Sequence, residues 1–190
     1  MAKRIPSLDS DSSDELLMSA IRQKNTYAFE LLFKRYKTAI IAYALRMVQD
    51  EQKAQDLAQE IFLRILKKRD SYNPGKKFSS WMYRIATNAC IDEIRRSKFS
   101  AKMDEEQMKN VPADAAAGPV MQTEMNEKER LVKSAIKGLS PEHRTIIILH
   151  QYQGFTYEEI GEIMEKGVNW VKWHMKLAYD ELAKKLKAYF

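Results

Sequence analysis

Apolar side chains recur three and four residues apart along most of this chain, and that spacing predicts α-helices. The clearest example lies between residues 54 and 66, where alanine, leucine, isoleucine and phenylalanine fill one helical face. The other face is polar, and Asp50 is placed to cap the first turn. Only six glycines and five prolines occur among 190 residues, which argues against a turn-rich β-sandwich. The sequence therefore predicts an all-α fold.

The helical periodicity fails once, between residues 100 and 127. That stretch contains Pro112, Gly118 and Pro119, and acidic side chains exceed basic ones. We therefore expect a flexible linker at 100–127 joining two small helical domains, at 14–99 and 128–190, after a disordered segment at 1–13.

The second domain carries a helix-turn-helix pattern. Thr156 and Glu159 form a capping-box sequence that opens a short helix, Gly167 lies in a tight turn, and a longer helix follows from Val168. Gly161 is unfavourable inside a helix, and a close helix–helix crossing would explain it. Generic three-helix bundles show the same pattern, so this signal alone does not prove DNA binding.

Several function classes are excluded by what the sequence lacks. Cys90 is the single cysteine, which excludes an internal disulfide and a Cys-based zinc site and favours a reducing cytoplasm; we expect it to be a small buried residue. Phosphate-binding loops and hydrolase or metalloprotease motifs are absent. We therefore expect no catalytic residue, metal or cofactor. No apolar run approaches about 18 residues, and the N-terminus lacks a signal-peptide core, so we expect no membrane insertion.

Basic residues are concentrated in one part of the chain. Residues 64–98 hold ten basic and three acidic side chains, interleaved with Tyr72, Phe78, Trp81 and Tyr83. Cations that hold phosphates beside rings that stack on bases suit a single-stranded or melted nucleic acid. The composition is explained equally well by an ordinary solvated helix face whose aromatic residues fill the core, without any nucleic acid. Ser79 is expected to cap a helix running to about Lys98.

Four stretches resemble one family of bacterial transcription factors. Residues 50–64 (DEQKAQDLAQEIFLR) are similar to the D-A-E-D-L-x-Q-E-x-F-L-R motif of sigma factors of the ECF (extracytoplasmic function) group. Residues 78–96, which begin FSSWMYRIATN, resemble the helix with which that group melts promoters and reads the −10 element. Residues 139–144 (LSPEHR) and 154–161 (GFTYEEIG) resemble the opening of its C-terminal domain.

The resemblance implies a non-enzymatic factor that gives core RNA polymerase its promoter specificity. The residues that it implies for polymerase binding are Asp56, Gln59, Glu60 and Arg64. Those implied for binding and melting the −10 DNA are Lys76, Lys77, Trp81, Arg84, Asn88, Asp92, Arg95 and Arg96. Trp81 has two open readings, stacking on a base or filling the core. The family's C-terminal domain reads the −35 element of the promoter duplex.

The last helix departs from the family pattern, which often has several arginines facing DNA. The candidates for −35 DNA or partner binding are Asn169, Trp170, Lys172, Trp173, His174, Lys176 and Leu177. Because this face has only two lysines, we expect it to bind phosphates weakly. We therefore expect a second protein, an anti-sigma factor or a DNA-bound recruiting protein, to contact Trp173 and Leu177. Alternatively, Trp170 and Trp173 pack on neighbouring helices or touch thymine methyl groups.

Two rival functions remain from the sequence. A stand-alone helix-turn-helix regulator would bind duplex DNA unaided and would have no use for the basic stretch 64–98. A sigma-like protein that mainly binds a partner protein would keep its protein-binding faces and lose its DNA-reading residues. The retained basic stretch disfavours a complete mimic.

Overall fold

A computed structural model of the chain describes residues 8–108 and 127–187. These ranges contain eight α-helices, one 3-10 turn and no strand, which confirms the all-α prediction. The N-terminal helices are α1 (Asp14–Arg22), α2 (Thr26–Val48), α3 (Glu51–Lys68) and α4 (Phe78–Met108), with the 3-10 turn at Arg69–Ser71. The C-terminal helices are α5 (Glu127–Lys137), α6 (Pro141–Gln151), α7 (Tyr157–Met164) and α8 (Val168–Lys187).

Short polar side chains start the first three helices. Ser13, Asn25 and Asp50 each accept a hydrogen bond from the backbone N–H three residues further on, which satisfies a donor that the helix itself leaves unpaired. The predicted disorder at 1–13 is wrong for residues 8–13, because Arg35 of α2 donates to the carbonyls of Ser10 and Ser12 at 2.6 and 2.8 Å. Residues 1–7 lie outside the described residues.

Helix α4 differs from the prediction at both ends. It begins at Phe78, one residue before the expected cap Ser79, because Phe78 is buried against the rings of Tyr36 and Tyr72 and joins the first turn to the core. It continues to Met108, through nine residues assigned to the linker. Residues 100–108 are good helix formers without glycine or proline. Their apolar periodicity fails because the helix has left the core: Phe99 is 67% exposed. The rest of the predicted linker, 109–126, lies outside the described residues.

The C-terminal helices follow the sequence signals closely. Ser140 caps α6 with Pro141 as its first residue, and Thr156 and Glu159 form the reciprocal capping box of α7. Glu165 ends α7 in the left-handed conformation, with φ 56°. The close approach predicted at Gly161 exists, but it is to the turn: a Cβ at Gly161 would lie 2.7 Å from the Lys166 carbonyl oxygen. A small residue is therefore needed to fold α7, turn and α8 together.

The two groups of helices share one continuous apolar core. Helix α4 packs along α7, and α2 contacts α5 and α6. The buried Arg144 of α6 reaches across this boundary and donates to the backbone carbonyl of Met47 at the end of α2. This packing brings the basic surface of the N-terminal helices against the helix-turn-helix. None of the described helices is both long and apolar enough to cross a bilayer.

Candidate nucleic-acid and polymerase interfaces

One side of α4 is buried and the other presents the predicted −10 residues. Met82, Ala86 and Ala89 lie in the core. The exposed side carries Arg84, Asn88, Asp92, Arg95 and Arg96, and Lys76 and Lys77 extend this row into the preceding loop. The structure therefore gathers seven of the eight predicted −10 residues on one exposed surface, hereafter the α4 face.

The eighth residue, Trp81, lines a cavity at the N-terminal end of the α4 face. The cavity has a volume of about 420 Å³, and its walls include Tyr72, Ser80, Trp81, Arg84, Asn88 and Glu162. The Trp81 ring lies 5.4 Å from that of Tyr72 and 6.0 Å from that of Phe78. Half-buried Trp81 therefore packs on the core and also lines the cavity, and base stacking by this ring stays a prediction. The buried Ser80 hydroxyl beside it has no hydrogen-bond partner among the described residues.

The cations of the α4 face are paired with carboxylates of the C-terminal helices. Lys77 Nζ lies 2.6 Å from Glu159 Oε1, and Lys76 Nζ lies 4.0 Å from Glu162 Oε1. Arg84 pairs with Glu165, and Arg95 Nη2 is 3.4 Å from Glu142 Oε1. The hydrogen bond from Lys77 holds the pKa of the Glu159 carboxyl below its usual value. Arg96 instead pairs within its own helix, with Glu93.

Helix α3 presents the residues predicted to bind polymerase. Asp56 and Gln59 are exposed, whereas Glu60 and Arg64 are half-buried and form an ion pair at 2.6 Å. Arg64 also lines the cavity beside Trp81. This surface, hereafter the α3 face, therefore borders the cavity. Among the described residues, no ion pair joins the α3 face to the C-terminal helices.

The seven residues predicted on α8 divide into two sets. Asn169, Lys172, Trp173 and Lys176 are exposed, and their spacing of three or four places them on one side of the helix, hereafter the α8 face. Trp173 is 59% exposed. Trp170, His174 and Leu177 are half-buried. The Trp170 ring stacks on His174 with centroids 3.8 Å apart, and His174 Nδ1 lies 3.2 Å from His143 Nε2 of α6.

Comparison with known proteins identifies the two helical units. Residues 32–99 match the family model described as Sigma-70 region 2, and residues 129–182 match Sigma-70, region 4. The ECF RNA polymerase sigma factor SigW of Bacillus subtilis (strain 168) is 31% identical over 175 residues, which cover 88% of this chain and 93% of SigW. The chain belongs to the ECF sigma factor family.

Two solved structures share the fold of this ECF sigma factor. CnrH, in complex with the cytosolic domain of CnrY, superposes with a TM-score of 0.67 at 21% identity and covers 95% of this chain and 99% of CnrH. RpoE of Bartonella quintana, in complex with the anti-sigma factor NepR, gives a TM-score of 0.61 at 24% identity, covering 84% and 96% of the two chains.

Sequence reasoning missed two residues that organise this sigma factor. In the sequence, Arg144 is one letter of the LSPEHR motif, whereas in the structure its guanidinium is buried and donates to the carbonyls of Ile136, Lys137, Leu139 and Met47. The composition suggests Tyr83 as a stackable ring, whereas in the structure it is buried against Phe155, with ring centroids 5.0 Å apart. Each position has a buried neighbour in the sequence, Thr145 after Arg144 and Met82 before Tyr83, but no local pattern says which element will cover it.

Among the described residues, the other reactive groups of the sigma factor do not form a chemical site. Burial raises the pKa of the Cys90 thiol to about 12, so this side chain stays protonated and is a poor nucleophile. No cluster of three metal-ligating side chains occurs within residues 8–108 and 127–187. The candidate binding surfaces are the α3, α4 and α8 faces.

Proposed function

We propose that this protein binds core RNA polymerase, recognises promoter DNA and opens the −10 region. The observation that carries the proposal is the α4 face, where exposed cations and Asn88 adjoin a cavity lined by Trp81 and Tyr72. Cations neutralise phosphates without regard to sequence. An unstacked base needs an aromatic ring and polar groups that read its edge. The α4 face offers both within one surface.

The α3 face supplies the proposed polymerase contact. Asp56 and Gln59 project from a helix whose opposite side is core, so they can meet a partner without disturbing the fold. The family membership favours core polymerase as that partner. The proposed domain organisation follows the same division, with the −10 and polymerase functions in residues 14–99 and the −35 function in the C-terminal helix-turn-helix.

The α8 face supplies the proposed −35 contact, with partner binding as a second candidate. Lys172 and Lys176 flank Trp173 on the exposed side of the second helix of the helix-turn-helix, which is the helix that enters the major groove in this motif. An exposed tryptophan is also a common anchor for a protein partner. RpoE of Bartonella quintana was solved with an anti-sigma factor, and we propose a partner of that class for this protein.

Polymerase binding is tested by reversing charge on the α3 face. Asp56→Arg with Glu60→Arg should abolish capture by core polymerase, because both carboxylates would become repulsive to the same partner. Stability should fall by no more than about 0.5 kcal/mol, since the lost Glu60–Arg64 pair is half-buried and still screened by solvent. Glu30→Arg, at an exposed site on α2, is the control. Undiminished capture of the folded double variant would contradict the assignment.

Promoter opening is tested by permanganate footprinting with core polymerase present. Asn88→Ala should reduce melting and base preference by about 1–3 kcal/mol while core binding stays unchanged, because an amide can read a base edge. Lys76→Ala should weaken binding to every sequence and lower the salt slope by about one. Equal melting and equal sequence preference in the wild type and Asn88→Ala would show that Asn88 does not read DNA.

A further inference from the structure

A second cavity lies where α2 meets α5 and α6, and no residue of the α3, α4 or α8 face lines it. Its volume is about 580 Å³, within the range of pockets that hold small organic molecules in proteins. The residues that decide its character are Leu45 and Arg46 of α2, Val132 and Ile136 of α5, and Ile148 and Tyr152 of α6. This cavity, hereafter the α2–α5 groove, therefore has walls from both groups of helices.

The walls of the α2–α5 groove are mainly aliphatic. Ile136 and Ile148 are buried and Leu45 is half-buried, whereas Val132 and Tyr152 remain 38% and 46% exposed. Apolar surface in contact with water is stabilised by any apolar group that covers it. A concave arrangement lets one small molecule cover several side chains at once. The groove therefore favours a ligand with an aliphatic body.

Cations predominate among the charged residues of the groove. Arg46 and Lys133 line it together with one carboxylate, Glu129, and none of the three enters an ion pair among the described residues. The Arg46 guanidinium lies 4.4 Å from the centre of the Tyr152 ring and donates to the Ala42 carbonyl at 3.2 Å. Its other N–H donors are suited to a carboxylate.

A hydrogen bond within the lining joins the two helices that carry these cations. Gln49 Nε2 donates to the backbone carbonyl of Lys133 at 2.8 Å, and Gln49 follows Arg46 by three residues on α2. The contact uses neither cationic group, so both can bind the same anionic ligand.

We propose that the α2–α5 groove binds an amphipathic carboxylate of the fatty-acid class, with its carboxylate at Arg46 and Lys133 and its chain along the aliphatic walls. A chain fits better than a ring, because Arg46 already covers one face of Tyr152, the one aromatic residue in the lining. The ligand touches α2 and α5 together, so its binding stabilises the folded protein by mass action. The groove is separate from the DNA and polymerase surfaces proposed above, and neither assignment depends on the other.

Calorimetric titration of the full-length protein with sodium decanoate, below its critical micelle concentration, tests the proposal. Octanoate has a shorter chain, and decanol keeps the chain without the carboxylate. We expect saturable binding of decanoate that is at least about threefold tighter than that of octanoate, because two more methylene groups leave water. Binding should be at least about tenfold tighter than that of decanol, which lacks the charge-assisted hydrogen bonds. Saturation with decanoate should also raise the melting temperature.

Variants locate the binding in the groove. Arg46→Gln with Lys133→Gln should weaken decanoate binding at least about tenfold and change decanol binding by less than about twofold. Val132→Glu places a carboxylate on a partly exposed wall and should also weaken decanoate binding; it provides the test if the first variant unfolds. Arg130→Gln with Lys137→Gln makes the same charge change at exposed sites of α5 outside the lining, and it should bind decanoate as the wild type does.

The inference is overturned if decanoate shows no saturable binding, or if the Arg130 and Lys137 control loses as much affinity as the groove variant, since general electrostatics would then explain it. Equal affinities for decanoate and decanol would show an apolar groove without carboxylate recognition, as a partner helix would use. Concentration-dependent sedimentation of the wild type that Val132→Glu abolishes would identify a second copy of the chain as the occupant instead.

Discussion

The α4 face and the α8 face are two surfaces of one chain proposed to bind DNA, and they are built differently. The α4 face is rich in cations and adjoins a cavity, and three of its cations pair with carboxylates at α7. The α8 face has two lysines and an exposed tryptophan, and neither Lys172 nor Lys176 enters an ion pair within the described ranges. The face whose lysines enter no ion pair among the described residues is therefore the one with fewer cations and the weaker attraction for phosphate.

This difference matters for the proposed function. A phosphate that approaches the α8 face meets Lys172 and Lys176, which enter no ion pair among the described residues, whereas a phosphate that approaches the α4 face must displace a glutamate from Lys77 or Arg84. A strongly cationic surface binds nucleic acid of any sequence, and the paired glutamates weaken that attraction.

The largest expected effect comes from the residue that joins the two regions. Arg144→Met should lower the free energy of unfolding by about 2–4 kcal/mol, because four backbone carbonyls at helix ends lose a buried donor. Thermal and urea unfolding followed by circular dichroism measure the change. Arg130→Met, at an exposed site on α5, is the matched control. A loss below about 0.5 kcal/mol would show that Arg144 is not what fixes the α8 face relative to the α4 face.

The contrast between the two faces was only partly predictable from sequence. Apolar spacing and caps such as Asp50, Ser140 and Thr156 depend on neighbours within a few residues, so these helices were predicted closely. The continuation of α4 to Met108 was missed because an exposed helix has no apolar stripe. The pairing of Lys77 with Glu159 joins residues 82 positions apart, and no local pattern contains that information.

The same limit applied to the aromatic residues of the candidate sites. Trp170 follows Asn169, and Trp173 lies between Lys172 and His174. These polar neighbours leave both rings with alternative readings from the sequence. Their exposure depends on α6: His143 lies beside His174, and His174 in turn stacks on Trp170. Trp173, three residues further along α8, is exposed. Which tryptophan would be free was therefore decided by the packing of two helices, and not by the residues next to it.

Replacing both lysines of the α8 face tests the phosphate binding proposed for it. Lys172→Ala with Lys176→Ala should weaken binding of promoter duplex to the polymerase-bound protein for all −35 sequences, and should lower the salt slope by about two. Filter binding or anisotropy at several salt concentrations measures both quantities. Lys184→Ala with Lys187→Ala, near the other end of α8, is the control. An unchanged salt slope in the first variant would place the phosphate contacts elsewhere.

Trp173→Ala separates the two candidate roles of the exposed ring and should have a smaller effect on general DNA binding. If Trp173 contacts base methyl groups, the variant loses about 1 kcal/mol or more of preference among −35 sequences in a purified system. If it anchors a partner protein, purified transcription is unchanged and capture of an anti-sigma or recruiting protein is lost. Retention of both properties would show that the exposure of Trp173 has no role in either function.

The smallest predicted effect concerns the half-buried side of α8. Partial burial, together with the neighbouring His143, lowers the pKa of the His174 imidazole from its usual value. The other charged groups around this pair are Glu181, which lies 3.2 Å from His143, and Glu142 and Lys166, which act on His174 from α6 and the turn. Protonation of His174 would place a cation beside a second histidine and partly away from water, which the folded state disfavours.

The sign of the pH dependence follows from that lowered pKa. Below the ordinary histidine pKa of about 6.5, the unfolded chain binds a proton at His174 that the folded chain resists, so stability falls as the pH falls towards the lowered value. Above about pH 7 this residue contributes no pH dependence. The melting temperature of the wild type should therefore decrease between pH 7.5 and 5.5 by more than that of His174→Gln, because only the wild type carries this group. Parallel decreases in the two proteins would show that the pairing with His143 does not set the pH response of the α8 region.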